Sequence, residues 1–290
     1  MTDILDPANA IAFQGEPGAY SHLACRSAFP AMQPLPCAAF EDAFDAVLEG
    51  RAKLGMIPIE NSLAGRVADI HTLMPKAKLH IIGEHFERVN HHLLAVPGTR
   101  LEQIKTVRSH VHALGQCRNF TRAHGIQPVV AADTAGSAAE VAVRGDRSVG
   151  AIASELAGEI YGLESLAANI EDAEHNTTRF LVMSRDAVHP IPHNGPCITT
   201  FVFRVRNVPA ALYKAMGGFA TNGVNMTKLE SYQVGGTFTA TQFYADVEGH
   251  PEETNLRLAL EELEFFSREV RILGVYPAHP FRFGTRQAAD

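Results

Sequence analysis

The run Asn176-Thr177-Thr178-Arg179-Phe180 places a hydroxyl, a fixed cation and an apolar ring in adjacent positions. Thr178 supplies a hydroxyl that can donate a hydrogen bond, and Arg179 a fixed cation. Phe180 offers an apolar face. Just upstream, Ile170-Glu171-Asp172-Ala173-Glu174 is an acid-bearing loop, so Arg179 also has a structural reading as the ion-pair partner of Glu171 or Asp172. Thr and Phe are, in addition, ordinary residues with which to begin a strand.

Other polar groups stand where apolar runs end. Pro58-Ile59-Glu60-Asn61-Ser62 closes the run from Leu54, and ligands of α/β proteins collect at the carboxyl ends of such strands. Its bland reading is a capped loop in which Asn61 or Ser62 bonds local backbone. Ser109-His110 and Asp133-Thr134-Ala135-Gly136-Ser137 occupy similar ends. Their side chains either cap the next helix or reach a ligand. Gly15-Glu16-Pro17-Gly18 precedes a helix and reads first as a tight turn, second as a carboxylate-holding loop.

Several chemistries find no support. The 14 histidines show no HExxH, HxH or Cys/His ligand spacing, and His91-His92 on a strand would point to opposite faces. No metal site or cofactor is therefore expected. Neither a Walker loop nor GxGxxG occurs. The net charge of -7 leaves no basic surplus for nucleic acid, and no stretch reaches the ~20 apolar residues of a membrane span. The acidic start, Met1 to Asp6, lacks the cations of a secretory signal. Cys25, Cys37, Cys117 and Cys197 form no CxxC pair and suit a reducing compartment, so a cytoplasmic protein is expected.

The elements that must position these residues read as α/β layering. Strands are expected at Ile11–Phe13, Leu54–Ile59, Thr106–Arg108, Pro128–Ala132, Ser148–Ala153 and Arg179–Ser184, with a long β stretch over Leu79–Val96. Helices are expected at Ala19–Ala28, Phe40–Leu48, Val67–Met74, His112–Ala123, Thr134–Arg144 and Ser154–Tyr161. Arg185 to Pro196, with three prolines and one glycine, is the linker candidate. Beyond it the pattern predicts βαββαβ: Ile198–Arg206, Pro209–Thr221, Val224–Tyr232, Thr237–Val247, Pro251–Ser267 and Glu269–Tyr276. A hairpin is expected around Gly235-Gly236, and Pro251 opens the second helix with Glu252 and Glu253 at its positive end. That order is the split βαβ, ferredoxin-like arrangement.

Taken in order, these pieces resemble the prephenate dehydratase family. The resemblance rests on Ile11 to Ser21, Gly55 to Ser62, Ser109-His110, Asp133 to Ala138, Ala151-Ile152-Ala153, Asn169 to Asp172 and the family's Thr-Arg-Phe signature at Thr178-Arg179-Phe180. The C-terminal unit resembles an ACT domain, with Asn225-Met226-Thr227-Lys228-Leu229-Glu230-Ser231 similar to its effector-binding strand and Ala210-Ala211-Leu212 similar to its Gly-Ala-Leu. It departs from the family pattern at Tyr232-Gln233, where Arg-Pro is usual, and at Ala210, where glycine is usual.

The resemblance implies a fold of two α/β lobes like periplasmic binding proteins, with the active site in the cleft between them. A dehydratase domain over 1–185, a linker over 186–197, a ferredoxin-like βαββαβ ACT domain over 198–280 and a tail over 281–290 follow. It implies conversion of prephenate to phenylpyruvate, water and carbon dioxide, or of arogenate to phenylalanine. Thr178 is assigned to the leaving hydroxyl; Arg179 either sharpens the acidity of Thr178 or holds a carboxylate. Glu60, Asn61, Ser62, Ser109, Thr134, Ser137, Asn176, Thr177 and Phe180 are the implied substrate-binding set. Ala211, Leu212, Asn225, Met226, Thr227, Glu230 and Ser231 are the implied phenylalanine site, shared between subunits of a homodimer or homotetramer. A monofunctional enzyme is expected, since no mutase or dehydrogenase segment is recognisable. The rival reading is a non-catalytic amino-acid sensor built on the same two folds.

Overall fold

The computed structural model describes residues 6–233 and 240–284. The expected hairpin turn at Gly235-Gly236 and the end of the tail lie outside the described residues. In chain order the first elements are β1 (Ala10–Gln14), α1 (Tyr20–Ala28), β2 (Gln33–Cys37), α2 (Phe40–Leu48), β3 (Leu54–Asn61) and the short β4 (Gly65–Arg66). Then follow α3 (Ala68–Leu73), β5 (His80–Arg88), β6 (His92–Ala95), β7 (Thr106–Ser109), α4 (Val111–Gln116) and α5 (Arg118–Ala123). β8 (Gln127–Val130), α6 (Thr134–Arg144), β9 (Val149–Ala153), α7 (Glu155–Tyr161), β10 (Glu164–Ala167) and β11 (Thr177–Ser184) come next. The last are β12 (Cys197–Val205), α8 (Ala211–Thr221), β13 (Met226–Gln233), β14 (Ala240–Glu248), α9 (Thr254–Phe266), β15 (Ser267–Pro277) and α10 (Phe281–Gly284).

The chain divides into two compact units, Met1–Val67 with His85–Phe180, and Ala68–Glu84 with Leu181–Asp290. A six-stranded sheet runs β2-β1-β3-β11-β5, with β4 attached to β3. Its β5 and β11 are the strands along which the chain passes from one unit to the other. A five-stranded sheet, β10-β6-β9-β7-β8, completes the first unit. β1 is parallel to β2 and β3, and β7 is parallel to β8 and β9. Parallel neighbours need helical crossovers and burial on both faces. This is why Ile11, Phe13, Met56, Ile57 and Ile59 are all solvent-free.

The mixed α/β architecture follows the sequence pattern, and α2 and α6 have the expected bounds. Asp133 caps α6 by accepting from the Gly136 N–H, and Gly145, at φ 64°, ends it. Three readings need correction, and one strand escaped the pattern. The long β stretch over Leu79–Val96 is two strands belonging to different sheets, broken at Val89–His91. The helix over His112–Ala123 breaks at Cys117, because the Asp172 carboxylate accepts from the N–H groups of Arg118 and Asn119 and starts α5 afresh. β2 was masked by its two prolines, which an edge strand tolerates. The second C-terminal helix begins at Thr254 rather than Pro251, so Glu252 and Glu253 precede it.

The two sheets of the first unit meet through the turn after β1. Ser154 Oγ donates to the Gly18 carbonyl at 2.5 Å, and the Tyr161 hydroxyl donates to the Pro17 carbonyl at 2.9 Å. Gly18 has φ 91°, and a Cβ there would lie 2.7 Å from the Ala157 Cα. The turn therefore presses α1 against α7 at backbone distance, and its first reading, structural, holds.

The second unit carries a four-stranded antiparallel sheet in the order β13-β14-β12-β15. With α8 and α9 on one face, this is the ferredoxin-like βαββαβ topology. Phe201, Phe203, Phe219, Phe243, Leu256 and Leu263 lie in its core. Ala210, the cap of α8, sits at φ 61° and ψ 13°, the left-handed conformation that glycine adopts without strain.

Two substitutions at these backbones should move stability in opposite directions. Gly18→Ala is expected to cost about 2–3 kcal/mol through overpacking against Ala157 and backbone strain. Ala210→Gly is expected to add about 1 kcal/mol by relieving the left-handed alanine. Urea unfolding of both variants against the parent checks each sign.

Candidate active site

β3 and β11 are neighbours in the six-stranded sheet, and their ends bring the key residues together. Successive residues of a strand face opposite sides, so Thr178 and Arg179 cannot act in the same place. On one face Asn61 Nδ2 donates to Thr178 Oγ1 at 3.0 Å. On the other, Arg179 Nη1 donates to Glu60 Oε1 at 3.0 Å. Arg179 is only 4% exposed and Glu60 about one third exposed, at 33%. A largely buried guanidinium held by a carboxylate ties β3 to β11 in one register.

The ion-pair reading of Arg179 changes accordingly. Its ion-pair partner is Glu60, not Glu171 or Asp172. Glu171 accepts from the His91 backbone N–H at 2.8 Å, and Asp172 caps α5. Its position across the strand also sets it apart from the Thr178 hydroxyl. Phe180, 1% exposed, is a core residue on β11 and not an apolar wall.

Asn61 is held by the turn that follows it. Its Oδ1 accepts from the N–H groups of Leu63 at 3.0 Å and Ala64 at 2.8 Å, an Asx-type turn. Its Nδ2 donates to Asn176 Oδ1 at 2.8 Å as well as to Thr178. Asn176 Nδ2 donates to Gln116 Oε1 at 2.9 Å, and Gln116 Oε1 lies 2.8 Å from His91 Nε2. His91 Nδ1 lies 2.8 Å from the Tyr20 hydroxyl, which also reaches the Asn90 carbonyl at 2.7 Å. Asn176 and His91 are buried, at 1% and 2% exposure. Burial lowers the pKa of His91 from its usual value and raises that of Tyr20 well above its own.

The remaining strand-end hydroxyls mostly serve the scaffold. Ser109 Oγ donates to the Ile152 carbonyl at 2.6 Å, inside the core, and Ser137 Oγ donates to the Asp133 carbonyl at 2.6 Å. Ser62 Oγ donates to the His175 carbonyl at 2.7 Å and accepts from the Thr177 N–H at 3.0 Å. A hydroxyl has one proton, so none of the three donates to a carboxylate while these bonds stand. In this structure the three hydroxyls position loops and strands. Thr134 and Thr177 are half-buried, as is Thr178.

Gln116, His91 and Tyr20 were absent from the sequence-level site. Tyr20 lies in the recognisable run Ile11 to Ser21, but nothing there ties it to Thr178, and no motif marks Gln116 or links His91 to the site. The one available signal was Gln116, next to the apolar stripe of the helix containing Leu114 and Cys117, at a position where a polar side chain had no evident solvent-facing role. Among the described residues, no group of three or more His, Cys, Asp or Glu side chains could hold a metal ion. No described helix is long and apolar enough to cross a membrane.

In the second unit, the residues assigned to an effector divide in two. Ala211 is buried, and Leu212 and Met226 pack against the same core, so these three face inward. Asn225, Thr227 and Ser231 are exposed, on or next to β13 at the sheet edge. Glu230 pairs with Lys228 Nζ at 3.3 Å, and Thr227 Oγ1 accepts from Arg282 Nη1 at 3.4 Å.

If the Glu60–Arg179 pair sets the register that brings Thr178 to Asn61, Glu60→Gln should lower stability by about 1–3 kcal/mol. Chemical unfolding measures this, and an unchanged midpoint would remove the pair from that role.

Comparison with known proteins places this arrangement among relatives. The prephenate dehydratase family model matches residues 11–188. A Komagataeibacter europaeus protein named bifunctional N-acyl-homoserine lactone acylase/prephenate dehydratase is 55% identical, over 94% of this chain and 97% of its own length. Arabidopsis thaliana chloroplastic arogenate dehydratase/prephenate dehydratase 1 is 41% identical, over 92% of this chain and 71% of its own. The crystal structure of Arthrobacter aurescens prephenate dehydratase in complex with L-Phe superposes with a TM-score of 0.84 at 30% identity, covering 97% of each chain.

Proposed function

The chain belongs to the prephenate dehydratase family, and we propose that it performs the family reaction with Thr178 as the hydrogen-bond donor to the departing hydroxyl. The protein is a dehydratase that converts prephenate into phenylpyruvate, carbon dioxide and water on the route to L-phenylalanine. This activity displaces the reading as a non-catalytic sensor. The observation that carries the Thr178 assignment is its bond from Asn61, which occupies an oxygen lone pair and leaves the hydroxyl proton to point elsewhere.

Prephenate carries two carboxylates and a ring hydroxyl. As the ring carboxylate leaves as carbon dioxide, its bonding electrons enter the ring and expel the hydroxyl. Aromatisation drives the change, so the protein has to orient the substrate and stabilise the oxygen as charge gathers on it. Threonine is too weak an acid for early protonation. Its hydrogen bond gains strength as the leaving oxygen becomes basic, which is selective for the transition state. The Asn61 N–H then stabilises charge passed back to Thr178 Oγ1. Thr134, Thr177 and Thr178 remain as substrate contacts in this proposal, with Asn61 and Asn176 behind Thr178.

The C-terminal unit fits an ACT domain that binds phenylalanine, with Asn225, Thr227 and Ser231 exposed along its edge. We assign a homodimer or homotetramer on the ground that such a site is shared between subunits, and a cytoplasmic location on the ground that all four cysteines are free and buried. The plant relatives' names support arogenate as a second substrate. The 55% identity to the Komagataeibacter protein supports a second reading, an added acylase activity. Release of homoserine lactone from N-acyl-homoserine lactones tests it.

Purified protein should form phenylpyruvate from prephenate, and Thr178→Ala should keep its fold while kcat falls by about 10²–10⁴. Full activity in that variant would remove Thr178 from the chemistry. Phenylalanine should release heat on binding and change the kinetics; a silent titration with unchanged rates would refute the regulatory assignment.

A further inference from the structure

The orientation of every amide in the chain from Asn61 to Tyr20 follows from two backbone N–H groups. Leu63 and Ala64 can only donate, so Asn61 must turn its oxygen to them and its Nδ2 toward Asn176 and Thr178. That Nδ2 can only donate, so Asn176 must present Oδ1 to it and Nδ2 to Gln116. Gln116 must then present Oε1. The same oxygen lies 2.8 Å from His91 Nε2, which must therefore carry a hydrogen. The other ring nitrogen, Nδ1, lies 2.8 Å from the Tyr20 hydroxyl, whose single proton is shared between it and the Asn90 carbonyl at 2.7 Å.

We propose that His91, donating from Nε2–H, is a positioning residue that aims the Thr178 hydroxyl through Gln116, Asn176 and Asn61. This rests on the assignment of Thr178 above. Gln116 Oε1 has two donors, His91 and Asn176. Without His91 the Gln116 carboxamide keeps one restraint and can rotate. Once it rotates, Asn176 loses the acceptor that sets its own orientation. A turned Asn176 would face Asn61 Nδ2 with a second N–H group, donor against donor, and Asn61 would shift off Thr178. The effect belongs to orientation and not to substrate affinity, so it should appear in kcat.

Glutamine and asparagine separate this role from bulk packing. A glutamine amide nitrogen falls near the Nε2 position of histidine, whereas that of asparagine falls near Nδ1. His91→Leu is expected to lower kcat roughly tenfold with KM within about twofold. His91→Gln should recover most of the loss, and His91→Asn should not. In a Thr178→Ala background, His91→Leu should cause no further loss, because there is no hydroxyl left to aim. Wild-type protein and Thr178→Ala run in the same prephenate assay. Inactive wild type would overturn the reaction assignment, and an active Thr178→Ala would overturn the role of Thr178. With both controls as expected, a His91→Leu variant of normal kcat overturns the relay. If His91→Leu does not fold, equal kcat in the glutamine and asparagine variants overturns it instead.

Discussion

Asn61 can serve Thr178 only because the turn after β3 supplies its side-chain oxygen with two N–H donors. A carboxamide is nearly symmetric in shape, and nothing in its packing alone distinguishes oxygen from nitrogen. Here backbone groups that cannot accept make the distinction, and it propagates without ambiguity through Asn176 and Gln116 to His91. The geometry of Leu63 and Ala64, on an exposed turn, thus sets the proton arrangement of a buried ring. Polar networks of this kind are useful only when every member is satisfied, since one orphaned donor in a low-dielectric interior costs more than one bond is worth.

The two faces of β11 divide the labour that adjacent positions in sequence had suggested was shared. Thr178 points to Asn61, while Arg179 points the other way to Glu60. The pairings are successive rungs between the same two strands, so the ion pair and the hydrogen bond enforce one register. Strand alternation of period two was available from sequence, but it needed the strand to begin at Thr177 rather than Arg179. A reading that started the strand two residues late left Thr178 in a loop, where it and Arg179 could be imagined side by side.

Periodicity revealed most of the elements because helices such as α2 and α6 bury one stripe and carry their own caps. It failed where a distant residue decides local structure. The break at Cys117 is imposed by Asp172, more than fifty residues on, and the end of β5 by the need to reach a second sheet. The site shows the same division. Thr178, Asn61, Asn176 and Tyr20 lay within recognisable runs, whereas Gln116 and His91 did not, and only the fold joins these residues into one network. Strand-end serines misled in the opposite direction. Ser109, Ser137 and Ser62 have the right type and place for a ligand, but each has an internal carbonyl closer at hand.

Those internal commitments bear on how little chemistry the protein needs to supply. A reaction driven by aromatisation does not call for a strong acid. A neutral hydroxyl suffices, but it is effective only if its single proton is aimed. Free hydroxyls rotate, and aim has to come from filling the lone pairs with donors that cannot be displaced. Asn61 does this at Thr178, and the amides behind it keep Asn61 from turning. The weakness of threonine as an acid and the length of the network behind it are then two sides of one design: the less the proton is pushed, the more precise its direction has to be.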